Sequence, residues 1–167
     1  MVDSKDNLKE AFAGESQANR KYTYFAEKAE TYGNKQIARL FRAAAEAENI
    51  HARNHLKVLG DIKSDKENLA AAIGGEHYEF TTMYPDFIEE AKAENNKEAV
   101  GTFNLANKVE QIHHKLFQTA LKNLENGREF KDAPYYVCQV CGNTVEGEAP
   151  DRCPVCGALR DKFKKIE

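Results

Sequence analysis

The chain has 167 residues, room for one good-sized domain or a domain with a small module. Its hydrophobic content of 41% can bury a core, and a formal net charge of −3 argues against a nucleic-acid partner. The charged start Met1-Val2-Asp3-Ser4-Lys5-Asp6 has no apolar signal region, and no apolar run is long enough for a bilayer, so a cytoplasmic protein without a membrane partner is expected.

Residues 5–31 are predicted to form a helix, with Leu8, Phe12, Glu15, Tyr22, Ala26 and Ala29 on one stripe. Gly33-Asn34 ends it. A second helix is predicted from Lys35 to Leu59, with the seam Ile37, Phe41, Ala44, Glu48, His51, His55 and Val58. Gly60-Asp61 stops it. Ser64 can cap a third helix, with Glu67 completing a capping box. Its seam runs Leu69, Ala72, Glu76, Glu79, Met83, Phe87, and Pro85 should kink it because proline lacks an N–H and crowds the carbonyl of Thr81. The fourth helix is predicted from Lys97 to Glu125, with seam residues Phe103, Ala106, Glu110, His113, Phe117, Ala120 and Leu124. Short connections between four such helices give a four-helix bundle.

The chain also repeats itself. A shift of 61 to 62 residues places Glu15 on Glu76, Glu48 on Glu110 and His51 on His113. A pseudo-twofold axis through the bundle is expected. Glu48-x-x-His51 and Glu110-x-x-His113 each put a carboxylate and an imidazole on one helical face, where they can hold a metal ion.

Glu15, Glu48, Glu76, Glu79 and Glu110 sit where the pattern demands apolar residues. Unpaired buried carboxylates cost several kcal/mol each or stay protonated. No lysine or arginine lies on the four seams, so cations are the expected remedy. Five carboxylates and two imidazoles are too many for one ion and suit two. The pattern of one Glu from each of two helices plus Glu-x-x-His from each of the others is that of di-iron and di-manganese bundles. Oxygen and nitrogen ligands favour iron or manganese, with zinc possible. Glu79 breaks the symmetry, since its counterpart is Ala18. Ferric iron prefers carboxylate to imidazole, so one iron is expected to exchange His51 for Glu79 on oxidation. His55 is read as core or as support for the ligands, and His77 and His114, rotated about 100° from a ligand, as flank residues. Tyr22 and Tyr84 lie near the site by spacing, either as filling or as hydrogen-bond donors to ligand carboxylates.

Residues 126–134 form a linker, after which the helical period is lost. Cys138-x-x-Cys141 and Cys153-x-x-Cys156 have the spacing of a tetrathiolate site, each pair followed by a glycine. So small a ribbon needs its metal to fold. Tetrathiolate coordination suits a structural zinc or a single electron-transfer iron, and nearby Tyr136, Pro154 and Phe163 would shield the thiolates. The boundary is placed at residues 1–130 for the bundle and 131–167 for the ribbon. His113 lies about 12 residues, or ~18 Å, from the end of its helix. The ribbon is therefore expected to hang off one end and to serve a partner subunit in a head-to-tail homodimer.

The chain resembles the rubrerythrin family over nearly its whole length. The resemblance rests on Ala13-Gly14-Glu15-Ser16-Gln17-Ala18, Glu48-x-x-His51, Glu76-x-x-Glu79 followed by Met83-Tyr84-Pro85, Glu110-x-x-His113 and the Cys-x-x-Cys-Gly…Cys-Pro-x-Cys-Gly tail. It implies a ferritin-like bundle with a rubredoxin-like domain, two irons in the helices and one iron held by the four cysteines. It implies a peroxidase that reduces hydrogen peroxide to water and protects against oxidative stress. Electrons would enter through the Fe(Cys)4 centre from a rubredoxin or an NAD(P)H-dependent rubredoxin reductase. The implied di-iron ligands are Glu15, Glu48, His51, Glu76, Glu79, Glu110 and His113, with Tyr22 and Tyr84 hydrogen-bonding to them. Competing readings are iron oxidation or storage, which needs no tetrathiolate tail, and a helical interaction module with a zinc ribbon, which leaves the seam glutamates unexplained.

Overall fold

A computed structural model describes residues 3–130 and 132–167. Met1, Val2 and Lys131, which open the charged N-terminus and the expected ribbon domain, lie outside the described residues. The described chain forms two compact units, divided between Lys63 and Ser64.

The first unit is a hairpin of α1 (Ser4–Thr31) and α2 (Lys35–Leu59). Asp3 caps α1 by accepting the Asp6 N–H at 2.9 Å. Gly60 closes α2 in the left-handed conformation at φ 73°, which a side chain would strain. The two helices meet through small residues: Ala26, Ala29, Ala38, Ala45 and Ala52 are buried. Alanines there let the backbones approach, and the Asn19 amide donates across to the Ala45 carbonyl at 2.7 Å. Tyr22, Phe25 and Phe41 pack as a ring cluster, with centroids 5.4–6.3 Å apart. The larger residues of the expected seam are less covered: Phe41 and Glu48 are half-buried, while Ile37 and Val58 are exposed.

The second unit begins with α3 (Asp65–Tyr78), started by the expected capping box: Ser64 accepts from the Glu67 N–H, and Glu67 accepts from the Ser64 N–H. A π-helical turn (Glu79–Met83) follows, then α4 (Tyr84–Ala93) and α5 (Lys97–Glu125). The disturbance expected at Pro85 thus takes the form of a π turn just before it, and the proline sits in the first turn of α4, where its missing N–H costs nothing. The π turn also accounts for the uneven repeat. Glu15 and Glu48 are 33 residues apart, but Glu76 and Glu110 are 34. The connections Tyr32–Asn34 and Glu94–Asn96 are equally long, so the extra residue is absorbed within the helix. Ile88, Ala91 and Val109 are buried.

The chain leaves α5 through Gly127 at φ 62°. It then forms a three-stranded antiparallel sheet of order β2-β1-β3, with β1 Tyr135–Cys138, β2 Thr144–Glu146 and β3 Phe163–Ile166. Contrary to expectation, the ribbon does not hang off the helix end. Tyr135 and Glu146 line a cavity with Leu116 and Ala120 of α5. The nine linker residues reach ~30 Å when extended, ample to run back along the last turns of α5.

Candidate metal centres

Each unit carries one carboxylate–histidine trio. In the first, Glu15 projects from α1, and Glu48 and His51 from one face of α2. His51 Nδ1 stands 2.8 Å from a Glu48 oxygen and 3.8 Å from a Glu15 oxygen. In the second, Glu76 projects from α3, and Glu110 and His113 from α5. His113 Nδ1 stands 2.8 Å from Glu110 and 3.9 Å from Glu76. In both trios the ligand atoms lie within 4.8 Å of one another. The same spacing on the same helical faces reproduces the same geometry twice. In both, Nδ1 is the nitrogen that faces the carboxylates.

The second trio is strongly coupled. Burial, reinforced by the hydrogen bond and negative charge of Glu110, pushes the Glu76 carboxyl up to about 7. Burial also raises Glu110, but hydrogen bonds from His113 and Glu76 outweigh it and hold Glu110 below the ordinary carboxylate value. Below about pH 7 Glu76 therefore keeps a proton, while Glu110 favours its charged form. His113 is held above the usual imidazole value by its bond to Glu110, with burial opposing. Without cations, only protons relieve this crowding.

Glu79 does not join either trio. It opens the π turn, half-buried, and its carboxyl is raised by burial and then by the charge of Glu110. Tyr84 follows that turn, its phenol raised by burial and by the charges of Glu110, Glu79 and Glu76. Tyr22 packs on Phe25 and Phe41. The His77 and His114 rings lie tilted with centroids 5.5 Å apart beside Phe80, and His114 Nδ1 is 3.1 Å from the Ile73 carbonyl. His55 is half-buried on α2.

In the ribbon, the four sulfurs come together, with Cys138–Cys156 at 3.7 Å and Cys141–Cys153 at 3.5 Å. A tetrahedron with thiolates ~2.3 Å from its centre has edges of about 3.8 Å, so one metal ion fits. Two matching knuckles make this arrangement. Gly142 N–H donates to the Cys138 carbonyl at 2.8 Å and Gly157 N–H to the Cys153 carbonyl at 2.9 Å. Both glycines adopt positive φ, at 83° and 77°. Burial raises Cys153, but the N–H groups of Cys156 and Val155 overcome it and bring the thiol down to about 7, ready to ligate. Burial keeps Cys141 and Cys156 above the usual thiol value.

The contacts of three residues here escaped sequence reasoning. Val109 is buried although it lies off the predicted seam. Gly142 lies against Val109, since a Cβ built there would be 3.7 Å from Val109 Cγ1. Thr144 Oγ1 lies 3.0 Å from His113 Nε2. No motif marks Val109 or Thr144, and the glycine after Cys141 was read only as part of the knuckle, because these contacts matter only once the ribbon is laid on α5.

The Rubrerythrin family model matches residues 6–121, and the model of the rubrerythrin rubredoxin-like domain matches residues 136–164. Rubrerythrin-2 of Clostridium acetobutylicum is 38% identical, covering 95% of this chain and 94% of its own. Rubrerythrin of Nitratidesulfovibrio vulgaris is 34% identical, covering 98% and 94%. A solved mixed-valence nigerythrin covers 99% of this chain and 88% of its own at 35% identity, with a TM-score of 0.59. Helices of the ferritin-like class, a carboxylate–histidine di-iron site and a rubredoxin-like four-cysteine ribbon are thus present together. The chain belongs to the rubrerythrin family, a family of di-iron oxidoreductases associated with oxidative stress.

Proposed function

We propose that the chain is a cytoplasmic non-haem di-iron peroxidase that reduces hydrogen peroxide to water. Its parts are a helical domain, 1–130, and a ribbon domain, 131–167. The di-iron ligands are Glu15, Glu48, His51, Glu76, Glu79, Glu110 and His113. Cys138, Cys141, Cys153 and Cys156 hold the third iron. Electrons come from a rubredoxin or an NAD(P)H-dependent rubredoxin reductase. The observation that carries the reading is the presence in one chain of two matching carboxylate–histidine trios and a four-cysteine cage of the right size. Iron storage needs no such cage.

When bound, the helix irons supply two electrons together and Lewis acidity toward the peroxide oxygens, and the ribbon iron restores the electrons singly. The protein supplies geometry and protons. The carboxylates give the charge that offsets two cations. Glu79, outside both trios and raised by burial, is suited to hold a proton for the oxygen that leaves as water. The Tyr84 phenol, kept protonated by its acidic surroundings, serves as a hydrogen-bond donor beside them. Two protons and two electrons then convert one peroxide into two waters.

A homo-oligomer is part of the proposal, from kinship. The ribbon's contact with its own α5 removes the geometric reason for a head-to-tail pair, and sedimentation tests the assembly. The chemistry is tested by counting metals per chain after anaerobic purification and recording visible spectra before and after hydrogen peroxide. About three irons per chain, with ferric-thiolate absorbance appearing on peroxide addition, is expected. One zinc, no iron and no spectral response would overturn the reading. A faster response to oxygen than to peroxide would turn it toward iron oxidation.

A further inference from the structure

The two trios match, but their surroundings do not. His51 is 53% exposed, and among the described residues only its Nδ1 makes polar contacts. His113 is 26% exposed and is held at both nitrogens. Its Nδ1 faces Glu110 and Glu76, and its Nε2 lies 3.0 Å from Thr144 Oγ1 on the ribbon. The Thr144 hydroxyl also lies 3.0 Å from the Gly142 carbonyl.

Counting protons fixes the roles. A carbonyl only accepts, and a hydroxyl has a single proton to give. Thr144 therefore donates to Gly142, and the Nε2–H of His113 is shared between the Thr144 hydroxyl and the Gly142 carbonyl. The Nε2 proton is thereby pinned, and Nδ1 is the nitrogen left for a metal. The contact is built from both sides. Gly142 packs on Val109, four residues before His113 and on the same face of α5, and Val109 is 2% exposed beneath the ribbon. Thr144 opens β2 and is held in register opposite Val137 of β1. Gly142 in turn directly follows the ligand Cys141.

We propose that Thr144 is a positioning residue for the metal ligand His113: its hydroxyl fixes the imidazole with Nδ1 toward the metal and ties that ligand to the first cysteine knuckle of the same chain. The inference rests on the reading of Glu76, Glu110 and His113 as ligands. It makes His113 the fixed histidine of the pair and leaves His51 free to leave.

The test compares wild type with Thr144→Val, which keeps the shape and removes the hydroxyl, and Thr144→Ser, which keeps the hydroxyl. Full-length protein is loaded anaerobically with Fe(II) and titrated with a competing chelator. One helix iron is expected to bind about 10–100-fold more weakly in Thr144→Val, with Thr144→Ser close to wild type. The ferric-thiolate spectrum of the ribbon should stay unchanged, which separates positioning from a misfolded ribbon. In Zn(II)-loaded protein, the Nε2 proton of His113 should exchange with solvent at least tenfold faster in Thr144→Val. Equal iron affinity in wild type and Thr144→Val, or a Thr144→Ser as weak as Thr144→Val, would overturn the proposal. A wild type that binds no helix iron overturns it together with the ligand reading. The case in which wild type binds and Thr144→Val binds equally well defeats this inference alone.

Discussion

Replacing Glu76 with glutamine separates what the carboxylate costs the fold from what it contributes to the metal. In the metal-free protein its carboxyl is raised to about 7 by burial and by Glu110. A carboxyl whose folded pKa lies above its unfolded one binds more protons when folded. Its contribution is therefore most favourable at low pH and is lost as pH climbs from about 4.5 to about 7. At ~1.4 kcal/mol per pH unit, a rise from 4.5 to about 7 sets a ceiling of about 3.5 kcal/mol. The side chain is 20% exposed, and water screening reduces the effect to about 1–2 kcal/mol. Metal-free Glu76→Gln should accordingly be more stable than metal-free wild type by about 1–2 kcal/mol at pH 8, with most of that gain gone by pH 5. Urea unfolding of both proteins at the two pH values measures this as a shift in midpoint at constant slope. With iron bound the order should reverse, because the variant has lost a ligand. A midpoint difference that is the same at pH 5 and pH 8, or a metal-free variant less stable at pH 8, would refute the reasoning.

Cys153→Ser should remove the ribbon iron, lower the metal count by one and open strands β1–β3 to rapid amide exchange, while the helical circular dichroism persists. Because the Cys153 thiol is held near 7, iron uptake by the ribbon should fall as pH drops below that value, which ferric-thiolate absorbance reports. Ser64→Ala removes the capping box at the start of α3 and should cost about 1 kcal/mol of unfolding free energy, with iron content unchanged. Crystal structures of oxidised and reduced protein should differ in which of His51 and Glu79 ligates one iron; identical ligation in both would sink that exchange.

The helices were largely legible. The predicted limits of the helices over 35–59 and 97–125 match the structure, because Gly60 closes the first, Asn96 caps the second and Gly127 follows its end. Ser64 and Glu67 announced their capping box. The trios were legible because Glu-x-x-His occurs twice at matching offsets. The π turn was not read, although its trace was present as one residue between the 33- and 34-residue spacings. That residue could equally have lengthened the loop at Asn95, and only the equal three-residue connections place it in the helix. The seams overestimated the burial of large residues: Ile37 and Val58 are exposed, while the alanines one step round the helix are buried, because close hairpin contact favours small side chains. The ribbon's position was misjudged for a different reason. Helix length was counted, but the reach of an extended linker was not, so the bond between Thr144 and His113, 31 residues apart, had no sequence signature.

The pattern of agreement between the two halves separates two kinds of chemistry. The paired distances within the trios agree to about 0.1 Å, 2.8 with 2.8 Å and 3.8 with 3.9 Å. Spacing along one helix fixes the 2.8 Å pairs, and like packing of each helix pair fixes the longer ones, so duplicating a helix pair duplicates a ligand set. Nothing in that repeat can tell one iron from the other. The features that can do so lack a counterpart in the first half: Glu79 on an inserted π turn, which the repeat places on Ala18, and Thr144 brought by the ribbon to one histidine of the two. Binding two like ions calls for symmetry. Delivering protons and single electrons to one end of a bond calls for its absence. In the peroxidase proposed above, the inserted residue and the folded-back ribbon are the parts of the chain that would make a symmetric metal holder directional, and substitutions there are expected to alter turnover and ligand exchange while leaving the first trio's geometry as it is.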